Sequence, residues 1–252
     1  MLVSTDWLKE HLSDSNLVIL DTRPKTMFLY GHLMQSQSIS VEQVIRFDQY
    51  GSNLVIEKEK IIELFNNLGI DENKTVVLIG DSMDPSSARI AWTLMYFGHE
   101  KTFLLDANAS DLQKHGFELT RQTSSNEPTT FSPKMNSEIR IESDFLKDNL
   151  NNFQILDARS PQEFMGGHLP NSKLIPFTEG IDNGGKLFRD KESLETLFSQ
   201  NQISKDKEII CYCMHGHRAS SLFLQLKIAG FDKIKLYDGS FVEWNGKQLP
   251  LE

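Results

Sequence analysis

The sequence predicts an α/β fold of two tandem domains, each with a mostly parallel central sheet flanked by helices. The length of 252 residues suits two domains of ordinary size. Short apolar runs alternate with segments of helical periodicity, a pattern typical of parallel sheets covered by helices. Most of the landmarks in the first half of the chain return in the second half in the same order. The fold class and the domain count follow from these three observations.

The first half supplies the elements of one such domain. Helices are indicated by apolar residues at helical spacing, and buried strands by short apolar runs that end in polar residues or glycine. In chain order we expect a helix over 4–12, a strand over 17–20, a helix over 57–68, a strand over 76–79, a helix over 88–97 and a strand over 103–106.

The second half repeats this order with slowly changing offsets. Asp21-Thr22-Arg23 returns 136 positions later as Asp157-Ala158-Arg159. Gly98 and Gly230 are 132 positions apart. Matched landmarks whose offset drifts are what insertions and deletions in loops leave after a duplication. We therefore expect two copies of one domain.

A polar segment separates the copies. Residues 120–137 are rich in Thr, Ser, Asn and Pro and poor in large apolar residues, which is typical of a linker. The predicted organisation is an N-terminal domain over 1–119, a linker over 120–137 and a C-terminal domain over 138–252.

Composition excludes several classes of function. The formal net charge of -9 argues against a general nucleic-acid binder and against binding to anionic membranes. No apolar run approaches the roughly 20 residues that span a bilayer, and the N-terminus lacks a signal-peptide pattern. The two cysteines, Cys211 and Cys213, are poorly spaced for a disulfide within a strand. We expect a reduced protein of the cytoplasm.

The most reactive pattern in the chain surrounds Cys213. The apolar run that contains Ile209 and Ile210 ends at this cysteine, and a compact loop leads to an apolar-periodic segment expected to begin a helix at Ala219. Backbone N–H groups of such a loop, together with the dipole of the following helix, favour a thiolate. Cys213 is therefore the candidate nucleophile, whereas Cys211 lies inside the apolar run and is expected to pack in the core.

The first half provides an internal control for this pattern. Gly80 stands where the second half has Cys213, and the loop that follows, 81–87, is acidic and contains no cysteine. Two copies of one scaffold therefore differ in the chemistry of the same loop. We expect one active domain, the second.

These landmarks resemble the tandem-domain rhodanese-type sulfurtransferases, the thiosulfate/3-mercaptopyruvate sulfurtransferase family, over nearly the whole chain. The motifs that carry the resemblance are Asp157-Ala158-Arg159, Glu163-Phe164, Gly167-His168-Leu169-Pro170, the loop from Cys213 to Arg218, and Tyr237 to Trp244.

The resemblance implies a ping-pong reaction. The Cys213 thiolate takes a sulfane sulfur from a donor, becomes a persulfide and passes the sulfur to cyanide or another thiol acceptor. The donor would belong to the thiosulfate or 3-mercaptopyruvate class, and no metal or organic cofactor is implied. The substrate-binding candidates are Met214, His215, Gly216, His217, Arg218 and Arg159. Pairing with a carboxylate is the commoner role for an arginine such as Arg159.

Three positions differ from the family pattern. Thiosulfate-preferring members usually carry basic residues directly after the cysteine and mercaptopyruvate-preferring members small ones, whereas this chain has Met214 and His215. Two-domain members usually have a substrate-binding arginine where this chain has Glu163. A protein persulfide or another thiol-bound sulfur is therefore a further candidate donor.

Other classes of site explain the pattern less well. Alternating metal ligands at 211, 213, 215 and 217 cannot close a tetrahedron around zinc by themselves. Cysteine phosphatases of related fold use one residue more than the four between Cys213 and Arg218. A non-catalytic binding or thiol-sensing module remains the main alternative to the enzyme.

Overall fold

The computed structural model describes residues 1–252 and divides into two compact units. The first unit contains residues 1–44, 56–135 and 182–187, and the second contains residues 45–55, 136–181 and 188–252. No helix is long and apolar enough to cross a membrane.

The strands are short, as the apolar runs indicated. They are β1 (Leu2–Val3), β2 (Leu17–Asp21), β3 (His32–Leu33), β4 (Ser36–Ser38), β5 (Ile45–Phe47), β6 (Asn53–Val55), β7 (Thr75–Ile79), β8 (Thr102–Leu105), β9 (Leu119–Thr120), β10 (Gln154–Asp157), β11 (Ser172–Leu174), β12 (Ile209–Tyr212) and β13 (Ile234–Leu236).

The helices alternate with these strands. They are α1 (Thr5–His11), α2 (Lys25–Tyr30), α3 (Lys58–Asn67), α4 (Ser86–Tyr96), α5 (Ser143–Asp148), α6 (Pro161–Met165), α7 (Lys191–Gln200), α8 (His217–Ile228) and α9 (Ser240–Gly246). Short 3-10 turns occur at Val41–Val44, Ala109–Asp111, Ser137–Ile139, Leu150–Asn152 and Phe177–Gly180.

Each unit is built on one parallel sheet. The first unit has five strands in the order β1-β8-β7-β2-β4, and the second has four in the order β11-β10-β12-β13. An isolated parallel bridge between Arg140 and Leu236 stands where a fifth strand would continue the second sheet. Buried aliphatic and aromatic side chains pack against each sheet, among them Ile210, Tyr212 and Trp244 in the second unit. The predicted α/β class with two similar sheet domains is confirmed.

The predicted elements agree with the structure in type and differ at their ends. The helix expected from Ala219 starts two residues earlier, at His217. Gly216 ends the loop in the left-handed region (φ 87°), and its carbonyl accepts the first helical bond from the Ser220 N–H (3.1 Å). His217 and Arg218 therefore belong to the first turn of α8 rather than to the loop. The short α2 and the antiparallel pair β5–β6 were not predicted.

The two units exchange matching segments of the chain. Residues 45–55 come from the first repeat but belong to the second unit, and residues 182–187 come from the second repeat but belong to the first. In the second unit the Val55 N–H donates to Asp238 Oδ2 (2.7 Å), and in the first unit the Leu187 N–H donates to Asp106 Oδ1 (3.2 Å). The predicted division into 1–119, a linker over 120–137 and 138–252 did not include this exchange, and it stays a prediction.

Candidate active site

The site forms where β12 ends and α8 begins. All four residues of β12 are buried, which fixes the position of the chain as it leaves the sheet at Cys213. Gly216 then turns the chain with a positive φ that a residue with a Cβ adopts only with strain. In this strand, loop and helix arrangement Gly216 contacts the cysteine, and the other predicted residues, Met214, His215, His217 and Arg218, lie in the loop and the first turn of α8.

Hydrogen bonds hold Cys213 on both its backbone and its side chain. The Gly216 N–H donates to Cys213 Sγ (3.1 Å), and the Cys213 N–H donates to Ser240 Oγ (3.1 Å). The Ser240 hydroxyl in turn donates to the Tyr237 carbonyl (2.8 Å). Cys213 is 1% exposed, so these donors act in a site largely removed from water. An N–H aimed at sulfur stabilises a thiolate more than a thiol.

Arg218 pairs with a carboxylate from α6. Its Nη1 and Nη2 donate to Glu163 Oε2 and Oε1, both at 2.7 Å. Glu163 is also the third helical residue of a capping box with Ser160, whose N–H donates to Glu163 Oε2 (3.0 Å). The hydrogen bonds from Arg218, with those from Ser160, lower the pKa of Glu163 to about 2. The cation that a phosphatase would offer to phosphate is thus already bound to a carboxylate.

Arg159 is held by Asp157 at the end of β10. The guanidinium donates to both Asp157 oxygens (2.7 to 3.0 Å) and to the Gly167 carbonyl (2.8 Å), and both side chains are buried. The Phe241 ring packs on it, 4.1 Å from the guanidinium carbon to the ring centroid. The geometry of Arg159 is that of a buried ion pair rather than of a free ligand.

The first unit contains the same ion pair without a cysteine. Arg23 donates to Asp21 (2.6 Å) and to the Gly31 carbonyl (3.0 Å), as Arg159 does to Asp157 and Gly167. Because the arrangement exists in the unit that lacks the nucleophile, it belongs to the scaffold. In both units the pair joins the end of one strand to the carbonyl of a glycine eight residues after the arginine.

His215 and His217 are near the hairpin β5–β6. Asn53 Nδ2 lies within hydrogen-bond distance of His217 Nε2 (3.0 Å). Desolvation, together with the positive charge of Arg218, lowers the pKa of His215 and so favours its neutral ring. The hairpin therefore supplies part of the surroundings of the loop, although it comes from the first repeat.

A cavity of about 300 Å³ lies beside Arg218. Its walls include the side chains of Arg159 and Arg218. One side of the cavity is apolar and is formed by Pro161, Pro176 and Phe177. The cavity is large enough for a small organic group.

Cys211 has a different environment from Cys213. It is fully buried in β12, and burial raises the pKa of its thiol far above the ordinary range. Its packing is that of a core residue, as predicted. No group of three or more His, Cys, Asp or Glu side chains is placed to hold a metal ion.

Strand register shows which first-unit residue is equivalent to Cys213. Ile79 is paired with Asp21 in the first sheet, and Tyr212 is paired with Asp157 in the second. The residues that follow these strands, Gly80 and Cys213, are therefore equivalent, as the repeat predicted.

Sequence reasoning missed the role of three residues of the site. Ser240 lies in a motif that was recognised without a role for this serine, and Glu163 was noted as part of a motif and as a departure from the family pattern but was given no partner. Asn53 is 164 positions from its partner His217, a separation that no local pattern reveals. The signal available for Glu163 was the Ser-x-x-Glu capping box at Ser160.

The comparisons with known proteins agree with this architecture. The family model described as a rhodanese-like domain matches residues 4–114 and 142–247. The sulfur carrier protein TtuD of Thermus thermophilus is 30% identical and covers 97% of this chain and 93% of its own. The 3-mercaptopyruvate sulfurtransferase of Escherichia coli is 25% identical over 99% of this chain and 97% of its own.

The fold comparison gives the same result. The crystal structure of SseA from Escherichia coli, described as showing the rhodanese fold of 3-mercaptopyruvate sulfotransferases, has a TM-score of 0.85 and 25% identity, and covers 95% of this chain and 98% of that one. The architecture and the site define a tandem α/β protein with one cysteine loop. This chain belongs to the rhodanese-like family, and the predicted membership of a sulfurtransferase family is confirmed.

Proposed function

We propose that this protein is a sulfurtransferase that moves a sulfane sulfur from a donor of the thiosulfate or 3-mercaptopyruvate class to a thiophilic acceptor through a persulfide on Cys213. The observation that carries the proposal is the Gly216 N–H directed at Cys213 Sγ (3.1 Å), at the start of α8. A helix N-terminus and an N–H aimed at sulfur favour both the thiolate and the anionic persulfide that replaces it.

The first half-reaction makes one S–S bond on Cys213 and breaks the bond that holds the donor sulfur. The Cys213 thiolate attacks that sulfur. In thiosulfate the S–S bond breaks and its electron pair leaves on sulfite, whereas in 3-mercaptopyruvate the C–S bond breaks and its electron pair leaves on carbon as the enolate of pyruvate, which takes up a proton. The product is the Cys213 persulfide, whose terminal sulfur carries the negative charge. No external oxidant or reductant is required.

The second half-reaction returns the enzyme to its starting state. Cyanide or a thiolate attacks the terminal sulfur, the persulfide S–S bond breaks, and its electron pair returns to Cys213 Sγ as thiolate. Cyanide leaves as thiocyanate. Met214, His215 and His217 border this reaction, while Arg218 and Arg159 act from within their ion pairs.

Intact-protein mass spectrometry tests the proposal. The reduced protein is mixed with thiosulfate, 3-mercaptopyruvate or an organic thiosulfonate, and cyanide is then added. We expect a gain of one sulfur on Cys213 that cyanide removes as thiocyanate. Cys211→Ala provides a matched control because Cys211 is the neighbouring thiol on the same strand, and this variant should still gain sulfur.

Two results contradict the proposal. One is a wild-type protein that gains sulfur from none of the three donors. The other is a Cys213→Ser variant that transfers sulfur at the wild-type rate. The compartment and the physiological acceptor do not enter this test, and the cytoplasmic location stays a prediction from the sequence.

A further inference from the structure

The positive charge of Arg218, which interacts electrostatically with the candidate nucleophile, is compensated within the site. Arg218 lies in the first turn of α8, and both of its terminal nitrogens are bound to Glu163 at 2.7 Å. Glu163 is itself held in place by the Ser160 N–H and hydroxyl (3.0 and 2.8 Å). The carboxylate is thus fixed before any substrate arrives, and the pair presents little net charge to an incoming donor.

The cavity beside this pair also lacks an uncompensated cation. The only cationic side chains in its wall are Arg159 and Arg218, and each is bound to a carboxylate, Asp157 and Glu163 respectively. Glu179 adds a further negative charge to the wall. A small dianion that entered would approach the Glu179 carboxylate without gaining a free cation, so Coulomb energy opposes its binding.

The apolar part of the wall favours a different kind of substrate. Pro161, Pro176 and Phe177 form one side of a cavity of about 300 Å³, a volume that suits an organic group. Burying such a group against these side chains is favourable, whereas stripping water from a dianion is costly.

We propose, resting on the function proposed above, that Glu163 is a specificity-determining residue that disfavours dianionic donors relative to less charged ones by neutralising Arg218. The preferred donor then carries its sulfane sulfur on an organic group that adds little negative charge. Glu163 does not touch the reacting sulfur. It acts through Arg218 by deciding whether that guanidinium is available to bind an anion.

The test compares three donors that undergo the same chemistry and differ in charge. Thiosulfate is a dianion, methanethiosulfonate is a monoanion, and 2-aminoethanethiosulfonate has no net charge. Each loses its outer sulfur to the thiolate and leaves as sulfite or a sulfinate. The variant is Glu163→Gln, since glutamine keeps the capping box with Ser160 but cannot neutralise Arg218. The matched control is Glu192→Gln, which makes the same change of charge at an exposed position of α7.

The expected result is a gain in kcat/KM that follows donor charge. Because Coulomb energy is proportional to the charge of the donor, Glu163→Gln should raise kcat/KM about tenfold for thiosulfate and about threefold for the monoanion. The donor without net charge should change little, and Glu192→Gln should leave all three values near those of the wild type. Equal changes for all three donors, or none, would overturn the proposal.

Two further measurements keep the proposal testable if Glu163→Gln folds poorly. Glu163→Asp keeps the charge and should keep the wild-type order of the three donors. For the wild type, kcat/KM for thiosulfate should not fall as salt is added, because no free cation attracts the dianion. A steep fall with salt contradicts the inference. Failure of the proposed function is distinct, since then no donor adds sulfur to Cys213 in any variant.

Discussion

The Thr22 hydroxyl lies 2.7 Å from the point where a Cβ at Gly80 would stand. Thr22 is fixed there by the hydrogen bond that its Oγ1 donates to the Ile79 carbonyl (3.0 Å). The equivalent pair in the second unit is Ala158 and Cys213, in which the small alanine leaves space beside the larger cysteine. The first unit therefore cannot accept a side chain at position 80 without moving a hydrogen-bonded group.

The close approach of Thr22 to Gly80 predicts a coupled pair of substitutions. Gly80→Ala should lower the free energy of unfolding by about 1–3 kcal/mol, the usual cost of forcing extra volume into a packed region. Thr22→Ala/Gly80→Ala should recover part of that loss, because the nearest obstructing atom is gone. Denaturant unfolding of the two single variants and the double variant measures the coupling. Strictly additive costs would contradict this account.

The repeated ion pair predicts equal structural effects in the two units. Asp157→Asn and Asp21→Asn each leave a buried arginine without its carboxylate and should cost about 3–5 kcal/mol of unfolding free energy. Chemical denaturation measures both. Sulfur loading of Asp21→Asn should follow its folded fraction, because Asp21 lies in the cysteine-free unit. A loading defect in Asp21→Asn without loss of stability would conflict with a scaffold role.

Ser240 is predicted to support Cys213 from the backbone side. Ser240→Ala removes the acceptor of the buried Cys213 N–H and should cost about 1–3 kcal/mol of unfolding free energy. The rate of persulfide formation should fall as well, since the cysteine is less well held. Ser220→Ala is the control. Its hydroxyl bonds to the Gly216 carbonyl (2.9 Å), which already accepts the Ser220 N–H, so no buried group loses its only partner.

The pair of Glu163 and Arg218 predicts a stability effect that depends on pH. The pKa of Glu163 is about 2 in the folded protein, below the ordinary value of 4.5, so its contribution to stability is present above pH 4.5 and is lost as pH falls toward 2. The wild type should therefore be more stable than Glu163→Gln at pH 6. Denaturant unfolding at pH 6 and pH 3 should show this difference shrinking on acidification. A difference that stays constant would contradict the assignment.

Local patterns were sufficient for much of the fold and for the reactive loop. Apolar runs identified the central strands of both sheets, and the recurring Asp-x-Arg motif identified the equivalent positions in the two copies. The start of α8 was placed two residues late because His217 and Arg218 look like loop residues, while the left-handed Gly216 that begins the helix is visible only in the backbone. The spacing of apolar residues carries no information about the backbone conformation of a single glycine.

The parts that the sequence did not predict depend on contacts distant in the chain. Asn53 reaches His217 only because the hairpin β5–β6 belongs to the second unit. The pairing of Glu163 with Arg218 spans 55 positions and depends on how α6 and α8 are placed in the fold. Both contacts are consequences of tertiary structure. The hairpin itself could have been predicted, because a turn with Gly51 separates two short runs of strand-forming residues.

The exchanged segments make the same bond twice. In the second unit the Val55 N–H donates a hydrogen bond to Asp238, which follows β13. In the first unit the Leu187 N–H donates one to Asp106, which follows β8. Neither repeat by itself contains every segment of a unit, because each unit includes one segment of the other repeat. Completing either unit therefore requires chain from both halves of the sequence.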